Sequence, residues 1–582
     1  MINQKLDAEL SLSLALSEEE RRKSPVLQSG YEPGTKQWRL ILLYQGSLDE
    51  IQTKLSVTII PLLGNYAIIT IPVEEIDTLL TFPQVLYLEL PRPLYQEEIT
   101  GIAASCLSAQ PYSPETFPRN NLTGKGVIAG ILDSGIDFRH PDFVDFSGKS
   151  RILTYWDQSL PYDGNNRYGF GYIFSQEELN AFLENKNTEG NVPEPSRDSG
   201  GHGTHIAGIC AGNGRASAGK NHGVAPEAAL LVVKLKNEGE SVFTDYANLM
   251  MAVDYAVNFS REKNSPIALN ISYGSNDGPH DGSGLMERYL ANCIFYGKNT
   301  VTIATGNEGL SRRHSAFHLK DKETKEIFFS VAPGETSLYV QLWKSYADQF
   351  SYTLSLPGGQ TQISIPGFSG IFRFTLEENE IRLVISEPTP YQSRQEMFLV
   401  ILPADSQTTI RPGVWRLSVI AEVSVDGHVR LWLPSREATN TATGFLDPTI
   451  NWTLTIPSTA NNVISVSGYD STTDVFAPFS GRGFSDQRET KPDLTAPAVN
   501  ILSTAPGGGY SIRTGTSMAA PFVTGACALL MQYGIVDQRD PFLYGEKVKA
   551  MLQKGARPLP AFSEYPNEDV GWGALCVRES LP

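Results

Sequence analysis

Apolar and polar positions change rhythm three times along the chain. Within residues 38–95, short apolar runs alternate with two amphipathic stretches. WRLILLYQG (38–46) suits a strand, and SLDEIQTKL (47–55) suits a helix whose Ser47 and Glu50 have capping-box spacing. VTIIPLLGNYAIITIP (57–72) predicts two strands around Gly64-Asn65, VEEIDTLLTF (73–82) a helix and VLYLELPRPLY (85–95) a last strand. This β-α-β-β-α-β order predicts a ferredoxin-like α+β unit. Ahead of it, leucines at 6, 10, 12, 14 and 16 predict a short amphipathic helix. Behind it, QEEITGIAASCLSAQPYSPETFPRN shows no period and is expected to be an exposed connector.

From Gly124 the rhythm becomes continuous apolar runs between helical stretches. GVIAGILDSGI (126–136), ALLVVKLK (229–236), PIALNISYG (266–274) and VTIATGNEG (301–309) read as buried parallel strands, with TDYANLMMAVDYAVNF (244–259) as a helix behind them. The prediction is an α/β domain, a mostly parallel sheet with helices on both faces. Between about 315 and 455 helical periodicity stops. SLYVQLW, FSYTLSL, IRLVISE, MFLVILP, WRLSVIAEV and HVRLWLP are short strands separated by turn residues, so an all-β sandwich or jelly roll is inserted here. The α/β texture resumes at NVISVSGYD (462–470) and closes with a long apolar helix starting near Ser517. The expected domains are therefore 1–96, 97–314 and 456–582 on either side of an insert at 315–455.

Composition narrows the class. A chain of 582 residues, 41% hydrophobic and 19% charged, has material for several cores. Its formal charge of −17 disfavours nucleic acid and anionic membrane as partners. The amino terminus lacks the pattern of a secretory signal, and no apolar run suggests a membrane span. The five cysteines, at 106, 210, 293, 527 and 576, are odd in number and lack C-x-x-C spacing. They are expected to be buried free thiols in a protein made in a reducing cytoplasm.

Three stretches carry candidate chemistry. Asp133 stands at the end of the strand Ile-Leu-Asp, and His202 lies between glycines at the opening of GHGTHIAG. Ser517 begins the helix of GTSMAAPFVTG. A serine hydroxyl becomes nucleophilic when an imidazole takes its proton, and a carboxylate then fixes the imidazole's tautomer. Singly, the three residues also suit a strand cap, a core histidine and a helix N-cap. Their order and flanks favour a triad. His205, with Asp198, offers weak H-x-x-H metal spacing and no further ligand motif.

These three blocks resemble the signatures of the subtilisin-like serine proteases, in that family's Asp, His, Ser chain order. The resemblance covers roughly 124–310 and 455–560. It implies that Asn307, in Ala304-Thr-Gly306-Asn307-Glu-Gly, donates to the oxyanion together with the Ser517 N–H. It places Ser272, Tyr273 and Gly274 along the primary specificity pocket, with Ala304 and Gly306 also contacting substrate. Gly239, Glu240 and Ser241 would form the edge that pairs with an extended peptide. His205 belongs to the family's own signature, and no metal site is expected. Many relatives hold calcium in a loop after the histidine helix. Residues 212–223 here have two basic residues and no carboxylate, so calcium is not expected and no cofactor is implied.

The ferredoxin-like unit is similar to the family's prodomain, a chaperone and inhibitor whose tail occupies the active site. Autocleavage is then expected near Gln96. The absent secretion signal, the segment before the first strand and the β insert together are similar to the clostridial spore-germination Csp group. That resemblance implies a cortex-lytic zymogen as protein substrate, the chain's own prodomain as partner and incorporation into the spore. A catalytically silent prodomain-bound scaffold and a general degradative subtilase remain as alternatives.

Overall fold

The computed structural model describes residues 5–6, 10, 14, 18, 31–32, 34–61, 66–89, 104–107, 122–185, 192–236, 244, 246–388, 392–405, 408–484 and 490–581. The chain forms two units, 1–97 and 98–582, each with its own core.

In the first unit, β1 (Gln37–Tyr44), α1 (Asp49–Lys54), β2 (Thr58–Pro61), β3 (Tyr66–Pro72), α2 (Ile76–Leu80) and β4 (Val85–Glu89) follow the predicted order. The antiparallel sheet runs β2-β3-β1-β4, the ferredoxin-like arrangement. Alternate residues Trp38, Leu40 and Leu42 of β1 meet Ile51 of α1 and Ile76 and Leu79 of α2 in its core. The capping box does not form. Ser47 Oγ accepts the Asp49 N–H at 3.1 Å, while Glu50 turns to Lys54 at 2.8 Å and Gln84 at 3.0 Å. The carboxylate finds a cation one turn on, and Leu48, in the N-cap position, contributes no side-chain cap.

In the second unit, α/β elements precede the insert: β5 (Ile128–Asp133), β6 (Ile152–Asp157), β7 (Tyr172–Ser175), α3 (Gln176–Leu183), α4 (His202–Ala211), β8 (Ala229–Lys234), α5 (Tyr246–Glu262), β9 (Ile267–Ile271), α6 (Leu285–Cys293) and β10 (Asn299–Ala304). Among the described residues the insert then contributes β11 (His314–His318), β12 (Thr324–Val331), β13 (Leu338–Ser345), β14 (Gln349–Ser355), β15 (Gln362–Ile365), β16 (Gly370–Leu376), β17 (Asn379–Ile385), β18 (Arg394–Pro403), β19 (Gly413–Val423), β20 (His428–Trp432) and β21 (Gly444–Phe445). Five strands then lead to the last long helix: β22 (Ile464–Asp470), β23 (Val475–Phe476), β24 (Leu494–Pro497), β25 (Ile501–Ala505) and β26 (Gly509–Arg513). They are followed by α7 (Thr516–Met531), α8 (Glu546–Gly555) and α9 (Val577–Ser580).

The main sheet has the order β23-β22-β10-β9-β5-β8-β6-β7 with β24 beside β22, parallel except at β7 and β23. Its central strands are buried on both faces because successive residues serve different cores. Ala129 and Ile131 face Ile206 of α4 and Phe522 of α7. Ile128 and Leu132 face Val253 of α5 and Leu290 of α6. Asp133 continues the first set, which turns its carboxylate toward α4. Among the described residues, Thr516–Val536 is long and apolar enough to cross a membrane, but it is the core helix of this layer and mostly buried.

The insert is a two-sheet antiparallel sandwich, β11-β20-β13-β18-β17-β16 over β15-β14-β19-β12-β21. Alternation is clearest in β18, which buries Gln395, Met397, Leu399 and Ile401 in turn. Residues 446–449 stay with the insert, the Leu446 and Thr449 N–H groups reaching the Phe328 and His314 carbonyls at 2.9 Å each, and by Thr455 the chain lies against the catalytic layer. The Thr455 N–H reaches Thr305 O at 3.0 Å, and Ile456 and Ser275 exchange backbone bonds at 2.8 and 2.9 Å.

The connector also departs from expectation. Ser105 is buried, its carbonyl accepts the Val577 N–H at 3.0 Å, and Cys106 is disulfide-bonded to Cys576. The expectation of five free thiols is thereby corrected. Cys210, Cys293 and Cys527 are free and buried. A partner 470 residues away in sequence leaves no local spacing to read.

Candidate active site

Asp133 ends β5 fully buried. One of its oxygens accepts the Ser134 N–H at 2.7 Å and lies 2.8 Å from His202 Nδ1. His202 opens α4, and Gly203 permits the approach: a Cβ there would stand 2.1 Å from the Gly135 carbonyl. Burial opposes charge on the imidazole, but the Asp133 charge and hydrogen bond prevail and raise the His202 pKa above its ordinary value. Nδ1 thus carries the proton shared with Asp133, leaving Nε2 to receive another.

Beneath this pair lies Asp198. It accepts from Ser134 Oγ (2.9 Å), Gly201 N (3.1 Å), Thr204 N (2.9 Å) and Thr204 Oγ1 (2.6 Å). The carboxylate satisfies free N–H groups of the first turn and complements its dipole. His205 faces away. Its Nε2 donates between the carbonyls of Ile501 and Ser511, each at 3.0 Å, and burial lowers its pKa to about 4. It ties α4 to the β25–β26 hairpin, and Asp198 is already engaged elsewhere. Among the described residues, no group of three or more His, Cys, Asp or Glu side chains comes together to hold a metal.

Ser517 is in the first turn of α7, with Oγ 3.5 Å from the Ser272 carbonyl and not hydrogen-bonded to His202. The catalytic hydrogen bond between serine and imidazole tightens in the substrate complex. Asn307 follows β10; its Oδ1 accepts Thr516 N at 3.0 Å and Thr516 Oγ1 at 3.2 Å. Two donors on Oδ1 fix the amide orientation and leave the NH₂ as the donating side.

His202, Ser517, Asn307, Ser272, Tyr273, Gly274, Ala304 and Gly306 line one cavity of about 340 Å³. Gly239, Glu240, Ser241 and Gln96 lie outside the described residues. The cavity has three further walls that sequence reasoning missed. Thr455 packs between Gly274 and Gly306, where a Cβ would approach its side chain to 2.2 and 2.5 Å. Ser435 and Glu437 come from the loop between the last two strands of the β insert. Glu308, beside Asn307, is buried, and desolvation raises its pKa.

A buried carboxylate–imidazole pair, a helix-borne serine and a fixed amide donor around one cavity define the site of a serine hydrolase. Residues 124–370 and 438–573 match the family model described as the subtilase family, and the chain belongs to that family. It is a Csp-related member: residues 4–92 match the model described as the Csp protease B prodomain. The solved Clostridium perfringens CspB protease is 33% identical, with a TM-score of 0.73, covering 82% of this chain and 96% of that one. The PI-type proteinase of Lactococcus lactis subsp. cremoris is 26% identical over 83% of this chain and 27% of its own length. The major intracellular serine protease of Bacillus subtilis is 29% identical over 38% and 53%, respectively. The chain thus spans about a quarter of the lactococcal proteinase it matches.

Proposed function

We propose that the protein is a subtilisin-type serine endopeptidase made with its inhibitor as an N-terminal prodomain. The observation that carries this reading is the 2.8 Å contact of His202 with buried Asp133, in the same site as Ser517. Ser517 Oγ attacks the scissile carbonyl as His202 Nε2 takes its proton. Asp133 holds the imidazole's orientation and balances the imidazolium. The Asn307 NH₂ and the Ser517 N–H stabilise the oxyanion, and His202 then protonates the leaving amine. Water repeats the sequence to release the acid.

Processing near Gln96 would separate the prodomain. Its match to the Csp protease B prodomain favours a narrow set of protein substrates, such as a cortex-lytic zymogen acting in spore germination. The test is labelling by a serine-directed fluorophosphonate together with amino-terminal sequencing of wild-type and Ser517→Ala proteins. Labelling and a new amino terminus in wild type alone support the proposal. Absent labelling after removal of residues 1–96 indicates a silent scaffold, and ready cleavage of casein with no preference for a zymogen indicates general degradation.

A further inference from the structure

The β sandwich and the catalytic layer meet at the loop that carries Asn307. β10 leads into residues 305–309, Thr-Gly-Asn-Glu-Gly, and the catalytic layer holds both ends of this loop. The Thr305 N–H reaches Val466 O at 3.1 Å, Gly306 O accepts the Gly481 N–H at 2.9 Å, and the Gly309 N–H reaches Phe479 O at 2.9 Å. Close approach is required at Gly309, where a Cβ would stand 2.2 Å from the Ser480 carbonyl. Between these anchors, Asn307 and Glu308 are fixed through their side chains, which leave the loop in different directions. Asn307 turns to Thr516 of α7. Glu308 turns into the junction with the β insert, where it is 2% exposed.

Three segments close on the Glu308 carboxylate. Ser311 Oγ donates to it from the same turn, and Asn276 Nδ2 approaches at 3.5 Å. The third donor belongs to the insert: the Arg436 N–H, in the loop between β20 and β21, reaches Oε1 at 3.2 Å. That loop is itself held, since Asn276 Nδ2 donates to the Leu433 carbonyl at 3.3 Å and the Leu433 N–H reaches Arg313 O at 2.9 Å. Burying a carboxylate is costly, and its hydrogen bonds do little more than offset that cost. An apolar side chain would fill the same space without the penalty, so stability alone does not account for Glu308. What the carboxylate supplies is direction. Donors from three segments permit one placement of the residue beside Asn307.

We propose that Glu308 is a positioning residue for oxyanion stabilisation, and that the insert takes part in catalysis through it. Held by Arg436, Asn276 and Ser311, Glu308 fixes the turn from which Asn307 presents its NH₂ to the developing charge. A donor of this kind works by standing in place before the reaction, so a shift of about 1 Å forfeits much of its effect. Acting only through Asn307, Glu308 cannot be worth more than the Asn307 donor itself. The inference rests on the endopeptidase reading, but one of its measurements needs no turnover.

Peptide hydrolysis is measured for wild type, Glu308→Ala, Asn307→Ala and the double variant. Glu308→Ala should lower kcat about 10–10²-fold, with KM within about twofold of wild type. In the Asn307→Ala background the same substitution should cost less than about twofold, because no amide is left to position. Asp348→Ala is the control for stability: this buried carboxylate accepts the Val425 and Asp426 N–H groups at 2.6 and 2.9 Å within the insert. Asp348 lines neither the cavity around Ser517 nor the adjoining one of about 570 Å³ beside Tyr273, so kcat should hold while the melting temperature falls. The Thr516 N–H donates to Asn307 Oδ1, so its hydrogen exchange reports where the amide stands. Exchange should be about tenfold faster in Glu308→Ala and unchanged in Asp348→Ala. Should Glu308→Ala not fold, Glu308→Gln, which keeps one acceptor oxygen, takes its place, with a kcat loss of about threefold or more. If wild type cleaves no peptide, exchange alone decides, and faster exchange keeps the inference while the endopeptidase reading falls. An equal loss in both backgrounds, a loss carried by KM, a like fall in Asp348→Ala or unmoved Thr516 exchange overturns it.

Discussion

Replacing Asp198 by alanine takes a buried carboxylate from under the first turn of α4. Four donors lose their acceptor: Ser134 Oγ, the Gly201 and Thr204 N–H groups and Thr204 Oγ1. A hydrogen bond to a charged group is worth about 1.5–3 kcal/mol. These four share one acceptor and do not add, so the local loss should be about 3–5 kcal/mol. The position of the damage matters more than its size. Ser134 adjoins Asp133 and also accepts the Gly203 N–H at 3.0 Å, so Asp198 ties together the two chain segments that carry the Asp133–His202 pair. Loosening that pair by about 1 Å should cost roughly 10²-fold in the labelling rate of Ser517. The acid limb of the rate profile should also move to lower pH, because the Asp198 charge is among the influences that raise the His202 pKa. Peptide KM should change little, since Asp198 lines neither cavity. Fluorophosphonate labelling across pH is the assay, with circular dichroism to confirm folding. Asp198→Asn, which retains one carbonyl acceptor, should fall between the two. A folded Asp198→Ala protein labelled within about twofold of wild type, with an unmoved acid limb, would refute this reasoning.

Asp133→Asn should lower kcat by about 10⁴-fold, because the carboxamide favours the wrong imidazole tautomer. Steady-state peptide hydrolysis checks the loss, and the residual activity should show its acid limb at lower pH. Asn307→Ala should reduce kcat by about 10²–10³-fold with little change in KM, the mark of a donor used in the transition state. Glu287 is buried near the start of α6 with its pKa raised by burial to about 7. Its neutral form is favoured in the folded state, so that stabilisation is complete below the unfolded value of 4.5 and is lost as pH rises through about 7. Glu287→Gln should therefore flatten the stability profile across this window, and at pH 8 it should gain up to about 3 kcal/mol over wild type. Calorimetric unfolding at pH 5 and pH 8 would read the difference.

Which parts of the site could be read from the chain follows from the range of the interactions that build them. The ferredoxin-like order and the buried strands of the α/β layer depend on local periodicity. The glycines around His202 and Ser517 are local as well, because close backbone approach must be written at the point of contact. Asp198 is different: it sits in the aperiodic PEPSRDSGG run, and its bond to Ser134 spans 64 residues. Thr455 reads as one more strand residue until Gly274 and Gly306 come to either side of it. The Cys106–Cys576 pair joins two segments with no shared pattern. Ser47 shows the converse, a motif with the correct spacing whose Glu50 found a better partner in Lys54.

The point of insertion explains why a β sandwich could become part of this site. The insert departs at His314, soon after Asn307 and Glu308, and its last strand ends at Phe445, shortly before Thr455. Both stems therefore adjoin residues that line the cavity around Ser517. Trp432, from the end of β20, stacks on His280 at 4.2 Å, and Trp343, Trp432, Trp452, Leu454 and Phe484 form a common core across the junction. Burial of these aromatic groups fixes the sandwich over the 276–280 segment, while Glu308 ties the loop between β20 and β21 to the oxyanion loop. A displacement of the insert must then strain the loop that holds Asn307. Such coupling favours one rigid arrangement of the amide donor that faces the oxyanion.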